Sequence, residues 1–165
     1  MTPIRTILVP TDFSAPADAA WRYARMLAGE FKSALHILHV VAVPVLYDAW
    51  GTEAAAVQAS DLLAQSETAA RAQLKKLVPR TGPFAGRVVT AVTVGTTVTE
   101  ILSYVSRKHV NLVVVGTHGR GLVGHALLGS VAERLVQRCR VPVVTVHGPE
   151  PRPPRRKRDA KRRRR

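Results

Sequence analysis

Several things are scarce in this chain, and each scarcity narrows what it can be. Cysteine occurs once in 165 residues, at Cys139, so neither an internal disulfide nor a multi-thiolate metal site can form. Set among helix-type residues, that thiol is expected to be an inert part of the core. No apolar run comes near the ~18 residues needed to cross a bilayer, and a soluble protein is expected. The opening Met1-Thr2-Pro3-Ile4-Arg5 runs straight into a strand-like stretch without a charged-then-apolar leader, which points to the cytoplasm. Nowhere does Gly-Lys precede Ser or Thr, so a Walker A loop is missing. The histidines suggest no metal-ligand set, since His36 and His39 are three apart on a strand-like run and point to opposite faces. Acid is short as well, with 11 Asp and Glu against 25 Lys and Arg.

That shortage leaves a formal charge of +14, which is unevenly spread. Residues 148–165 hold ten basic and two acidic side chains, a net +8, and the preceding 147 hold fifteen and nine, only +6. The segment also has four prolines and no aliphatic residue larger than Ala160. It cannot bury enough apolar surface to offset its ordering entropy, and its charges repel, so a disordered tail is expected after a folded domain over residues 1–147. Arg152–Arg165 has no aromatic residue for base stacking. It reads as a weakly selective polyanion binder, for nucleic acid or an anionic surface, rather than a sequence reader.

What is abundant is short apolar runs of two alternating kinds. Five are brief and β-branched, at Thr6–Val9, Leu35–Val41, Val88–Val94, Leu112–Val115 and Val141–Val146. Between them lie helix-periodic stretches, the pattern of βα units around a parallel sheet. Ile7-Leu8-Val9 and Leu112-Val113-Val114-Val115 are continuous rather than alternating, which predicts strands covered on both faces. The first helix opens at Ser14, a good N-cap, with Ala17, Ala20, Trp21, Ala24, Leu27, Ala28 and Phe31 as its core stripe. A second runs from about Ala54 to Leu77, after a long connection through Pro44 and Tyr47–Gly51. Thr97-Val98-Thr99-Glu100 fits a capping box at the start of the third. The fourth runs from Ser130 to about Cys139. The last strand would lie at a sheet edge, where an apolar edge needs covering, and a homodimer pairing Val143–Val146 by two-fold symmetry is the natural cover.

The richest segment runs from Gly116 to Ser130. It starts where a buried strand ends and finishes where a helix begins, the place where unpaired backbone N–H groups and a positive dipole favour a phosphate. Glycines let the backbone approach the anion closely, and Ser130 can add a hydroxyl. Gly119-Arg120-Gly121-Leu122-Val123-Gly124 has the letters of the dinucleotide fingerprint without its context. The turn follows the fourth strand, the helix waits until Ser130, and the stretch Cys139–Val143 lacks the acid that would hold a ribose.

Gly116, Gly119, Gly129 and Ser130 have the spacing Gly, two residues, Gly, nine residues, Gly, Ser. In this the chain resembles the nucleotide-binding members of the universal stress protein family. Pro10-Thr11-Asp12-Phe13-Ser14, His39-Val40 and Gly129-Ser130-Val131-Ala132-Glu133-Arg134 extend the resemblance over roughly residues 3–147. It implies a flavodoxin-like, Rossmann-like three-layer α/β sandwich with a five-stranded parallel sheet of order 3-2-1-4-5. It also implies a stress-response or signalling module that binds ATP or another adenine nucleotide, with Mg²⁺ able to arrive on the phosphates, and a homodimer. Carried over by residue, Pro10, Thr11 and Asp12 would border adenine and ribose, and Val40 would offer its backbone to the adenine edge. Val115 and Gly116 would touch ribose, and Gly119, Arg120, Gly129, Ser130 and Val131 would hold the phosphates. Within the loop only His118 and Arg120 offer groups for hydrolysis, so binding is favoured over catalysis, with a slow Mg²⁺-dependent nucleotide hydrolase as the alternative.

Overall fold

The computed structural model describes residues 3–43, 53–78, 84, 87–117 and 128–148, and of the side chains of 53–57 nothing is said. The connection 44–52, the loop 118–127 with His118, Gly119 and Arg120, and the basic segment 149–165 lie outside the described residues. Strands and helices alternate as β1 (Thr6–Pro10), α1 (Ala15–Phe31), β2 (Ala34–Ala42), α2 (Glu53–Leu77), β3 (Val88–Gly95), α3 (Thr97–Arg107), β4 (Leu112–Gly116), α4 (Ser130–Arg138) and β5 (Val143–Val146). All five strands are parallel, in the order β3-β2-β1-β4-β5. The expected sheet is therefore present, and β1 and β4, its two continuous apolar runs, lie inside it.

Each strand splits its side chains between two cores. Ile7, Val9, Leu35, Ile37, Leu112 and Val114 pack with Trp21, Ala24 and Leu74 under α1 and α2. Leu8, Leu38, Val113 and Val115 pack with Ile101, Tyr104 and Leu135 under α3 and α4. Burial on both faces is why these strands dispense with polar alternation. Each fully buried Leu or Ile contributes about 1.5–3 kcal/mol, so the central strands anchor both layers.

Ser14 caps α1 as expected, its Oγ accepting from the Ala17 N–H at 3.4 Å. Of the stripe read from the sequence, Ala17, Ala20, Trp21, Ala24 and Ala28 are buried, but Phe31 is 47% exposed. Phe31 is the last helical residue, and the chain leaves the helix at Lys32 in the left-handed region. Ser14→Ala should cost about 1 kcal/mol, read from the urea midpoint at unchanged slope. A midpoint that does not move would mean the cap carries no weight.

Two other expectations need correction. The capping box assigned to Thr97 and Glu100 does not form, because the N-cap of α3 is Thr96 and it makes no side-chain cap bond. The bond that starts α3 is the Glu100 N–H to the Thr96 carbonyl, 2.9 Å. The last strand starts at Val143 rather than Val141. Pro142 has no N–H for the ladder, though its carbonyl accepts from the Val113 N–H at 3.0 Å. Cys139 is half-buried at the C-cap of α4, against the second core.

On β2, His36 and His39 do point to opposite faces. His36 Nδ1 lies 3.0 Å from the Tyr104 hydroxyl on the α3 side. Burial, helped by Lys108, holds its pKa below the ordinary 6.5. The folded chain thus binds this proton less tightly than the unfolded chain. The penalty is absent above pH 6.5 and grows as pH falls through 6.5 toward the lower folded value. His36→Gln should lose less stability than the parent between neutral and mildly acidic pH, measured by denaturant titration. Equal losses would show that His36 is not the acid-sensitive group.

Candidate functional site

Parallel strands end together, so the C-terminal ends of β1, β2 and β4 share one rim of the sheet. Sheet order places β1 between β2 and β4, with chain connections diverging to either side, the arrangement that opens a crevice. A cavity of about 410 Å³ occupies it, within the size range of small-molecule sites. Nine of the eleven residues named from the sequence line it: Pro10, Thr11, Asp12, Val40, Val115, Gly116, Gly129, Ser130 and Val131. The other two, Gly119 and Arg120, lie outside the described residues.

The turn after β1 is tied at several points. The Thr11 N–H donates to the Leu38 carbonyl at 2.8 Å, and His39 Nδ1 lies 2.8 Å from the Thr11 carbonyl. A carbonyl only accepts, so Nδ1 carries a proton and donates. Within the turn, Thr11 Oγ1 accepts from the Phe13 N–H and Asp12 Oδ1 from the Ser14 N–H, both at 3.0 Å. These bonds hold Phe13 at φ 63°, a left-handed conformation a bulky residue rarely takes. The Phe13 ring lies against His39, with centroids 4.6 Å apart. Asp12 is thereby fixed at the cavity wall by its own turn.

At the opposite wall stands the N-terminus of α4. Its N-cap is Gly129, which offers no side chain, and Glu133 N–H to Gly129 carbonyl is its first helical bond. Ser130, Val131 and Ala132 therefore have main-chain N–H groups without intrahelical acceptors, and all three residues line the cavity. Gly129 differs from expectation in one respect. Its N–H is committed to the Thr117 carbonyl, so what it supplies to the wall is space and not a donor.

Thr117 carried no signal in the sequence beyond its place in the glycine-rich stretch. It is wholly buried, its N–H donates to Val146 at 2.9 Å, and its Oγ1 lies 3.2 Å from His147 Nδ1. It thus fastens the residues flanking the loop 118–127 to each other and to the end of β5. Leu38, His39, Thr97 and Ile101 also line the cavity. Leu38 and Ile101 belong to the second core, and the sheet topology brings them to the rim. Among the described residues no group of three or more His, Cys, Asp or Glu could hold a metal ion, and no helix is long and apolar enough to cross a membrane.

Comparison with known proteins adds a second line of information. A family model described as the universal stress protein family matches residues 3–147. The chain is 30% identical over 146 residues to Universal stress protein MJ0531 of Methanocaldococcus jannaschii, covering 88% of this chain and 84% of that one. It is 36% identical over 145 residues to a universal stress protein of Mycolicibacterium smegmatis, covering 86% of this chain and 48% of the relative, about half its length. Among solved structures, the hypothetical protein MJ0577 superposes with a TM-score of 0.75 at 22% identity, over 91% of this chain and all of that one. A universal stress protein in complex with cAMP gives 0.54 at 23% identity, over 88% and 98%. One from Archaeoglobus fulgidus in complex with dAMP gives 0.53 at 15%, over 88% and 99%.

Proposed function

This chain belongs to the universal stress protein family, and from that premise we propose that it is an adenine-nucleotide-binding module that acts in stress response or signalling as a homodimer. The observation that carries the reading is the cavity itself. An Asp-bearing turn fixed at one wall faces a helix start at the other, whose first amides have no helical acceptor. In the proposed pose Pro10, Thr11 and Asp12 border adenine and ribose, with the Val40 backbone at the adenine edge and Val115 and Gly116 at the ribose. Ser130 and Val131 give the phosphates main-chain donors, and the Ser130 hydroxyl adds another. Gly129 leaves room for them, and Gly119 and Arg120 complete the grip. Fold neighbours complexed with cAMP and dAMP support an adenine ligand.

Asp12 is the one carboxylate among the described lining residues. Magnesium would therefore come in on the phosphates, supplying charge neutralisation there, and the chain's own task would be to bind and orient. Among the described residues strand β5 pairs with β4 alone, which leaves Val143–Val146 at the edge proposed for dimerisation. Titration calorimetry with ATP, ADP, AMP and cAMP tests the reading, together with mass analysis of ligand released from freshly purified protein. Saturable binding of at least one adenine nucleotide is expected. Failure of all four to bind would overturn it, and multiple-turnover phosphate release with Mg²⁺ would replace a binding module with a hydrolase.

A further inference from the structure

His39 is the first residue of β2 beyond the β1 ladder. That ladder closes with Pro10 opposite Leu38, and one further main-chain bond, from the Thr11 N–H to the Leu38 carbonyl, lies past the end of β1. There the β1 chain turns away, whereas β2 continues against β3 as far as Ala42 opposite Gly95, with His39 opposite Val92. The imidazole therefore stands on a paired strand beside a turn that has just left the sheet. A group carried on such a strand is held more precisely than one carried on a loop.

From that position His39 holds the turn on both sides of Asp12. Its Nδ1–H donates to the carbonyl of Thr11, the residue before, at 2.8 Å. Its ring lies against that of Phe13, the residue after, with centroids 4.6 Å apart and 32° between the planes. Phe13 also packs against the first core, and its φ of 63° is a conformation that persists only where the surroundings over-determine it. The bonds from the Phe13 N–H to Thr11 Oγ1 and from the Ser14 N–H to Asp12 Oδ1 shape the turn. They join residues of the turn to one another, so they do not set where it stands on the sheet. That is the work of the two bonds to β2, one at the Leu38 carbonyl and one from His39. Asp12 and His39 both line the cavity.

We infer that His39 is a positioning residue, which holds the Asp12 carboxylate against the sugar of the nucleotide and so sets a preference for sugars that bear free hydroxyls. This rests on the proposed nucleotide site and deepens it. A carboxylate accepts hydrogen bonds from hydroxyls and gains nothing from a sugar without them. Release of the turn from β2 would loosen Asp12 by more than the ~0.5 Å that such a constellation tolerates. The contacts proposed for the Val40 backbone and the α4 amides would stay.

The test compares ATP with 2′,3′-dideoxy-ATP by titration calorimetry, using the parent and the full-length variants His39→Leu, His39→Asn and His39→Gln. In histidine one carbon separates Nδ1 from Cβ, as it separates the amide nitrogen from Cβ in asparagine, so Asn still donates to Thr11. Glutamine carries its nitrogen one atom further out. His39→Leu and His39→Gln should lower ATP affinity about tenfold, the weight of a charged hydrogen bond, and dideoxy-ATP affinity less than about twofold. His39→Asn should keep most of the parent's preference for ATP. Adding His39→Leu to Asp12→Ala should lower ATP affinity no further, because the imidazole acts through that carboxylate. Long-range ¹H–¹⁵N correlation spectra of the parent in mildly alkaline buffer should show Nδ1 as the protonated nitrogen of His39. That readout needs no variant, and a proton on Nε2 alone overturns the inference. Equal losses for the two nucleotides, an Asn variant no better than Leu, or a parent without preference for ATP also overturn it, with nucleotide binding intact. A parent that binds neither nucleotide removes the proposed site and this inference together.

Discussion

Gly129→Val is expected to abolish adenine-nucleotide binding while far-ultraviolet circular dichroism keeps its native shape. Gly129 sits at φ −58° and ψ 147°, values any residue adopts, so the backbone does not demand glycine there. Its N–H is already taken by Thr117. What the position contributes is an empty approach to the Ser130–Ala132 amides, and a branched side chain at the N-cap occupies that approach. Charged hydrogen bonds to main-chain donors contribute about 1.5–3 kcal/mol each, so losing two of them lowers affinity by at least about a hundredfold. Gly119→Val is expected to do the same from within the loop. Calorimetric titration of both variants decides the matter, and parental affinity in either would remove that glycine from the phosphate grip.

Gly116→Ala should damage the fold itself, for a steric reason. A Cβ at Gly116 would stand 2.7 Å from the Pro16 carbonyl carbon and 2.8 Å from its oxygen. Both are backbone atoms at the start of α1, so neither can swing aside as a flexible side chain could. Either α1 shifts away from β4 or the strand end bends. Overpacking of this kind costs about 1–3 kcal/mol, a fall in Tm of roughly 3–10 °C for a chain of this size. Because Gly116 also lines the cavity, nucleotide affinity should fall along with stability. An unchanged melting curve would show that the α1–β4 contact is looser than these distances indicate.

These two glycines mark how far the sequence could be read. Both line the cavity, but their spacing does not reveal their separate surroundings. At Gly116 a helix from far earlier in the chain packs against the glycine, whereas for Gly129 the expected demand is that the start of α4 stay open. The strands were legible because β1 and β4 are buried on both faces and their apolar runs say so. The α3 capping box read at Thr97 and Glu100 does not form because the helix starts one residue earlier, with Thr96 as its N-cap, and only backbone geometry tells which of the two threonines precedes the helix. Thr117 was overlooked for a related reason. A threonine after a strand is usually solvated, and its complete burial follows from β5 closing alongside β4, a pairing made about thirty positions later in the chain. In the sequence His39 figures in a dipeptide landmark and as a histidine facing away from His36, while its bond to Thr11 arises from the register of β2 against β1.

The parallel sheet also gives the molecule a head and a foot. Arg5 and Thr6 enter at the foot, where the Asn111 side chain holds both of their amides at 2.9 and 3.0 Å. A tether attached before Pro3 would accordingly fix the protein to a sensor chip or bead with the crevice turned outward to the flowing solution. One attached beyond Gly148 would crowd the very mouth through which an analyte must pass.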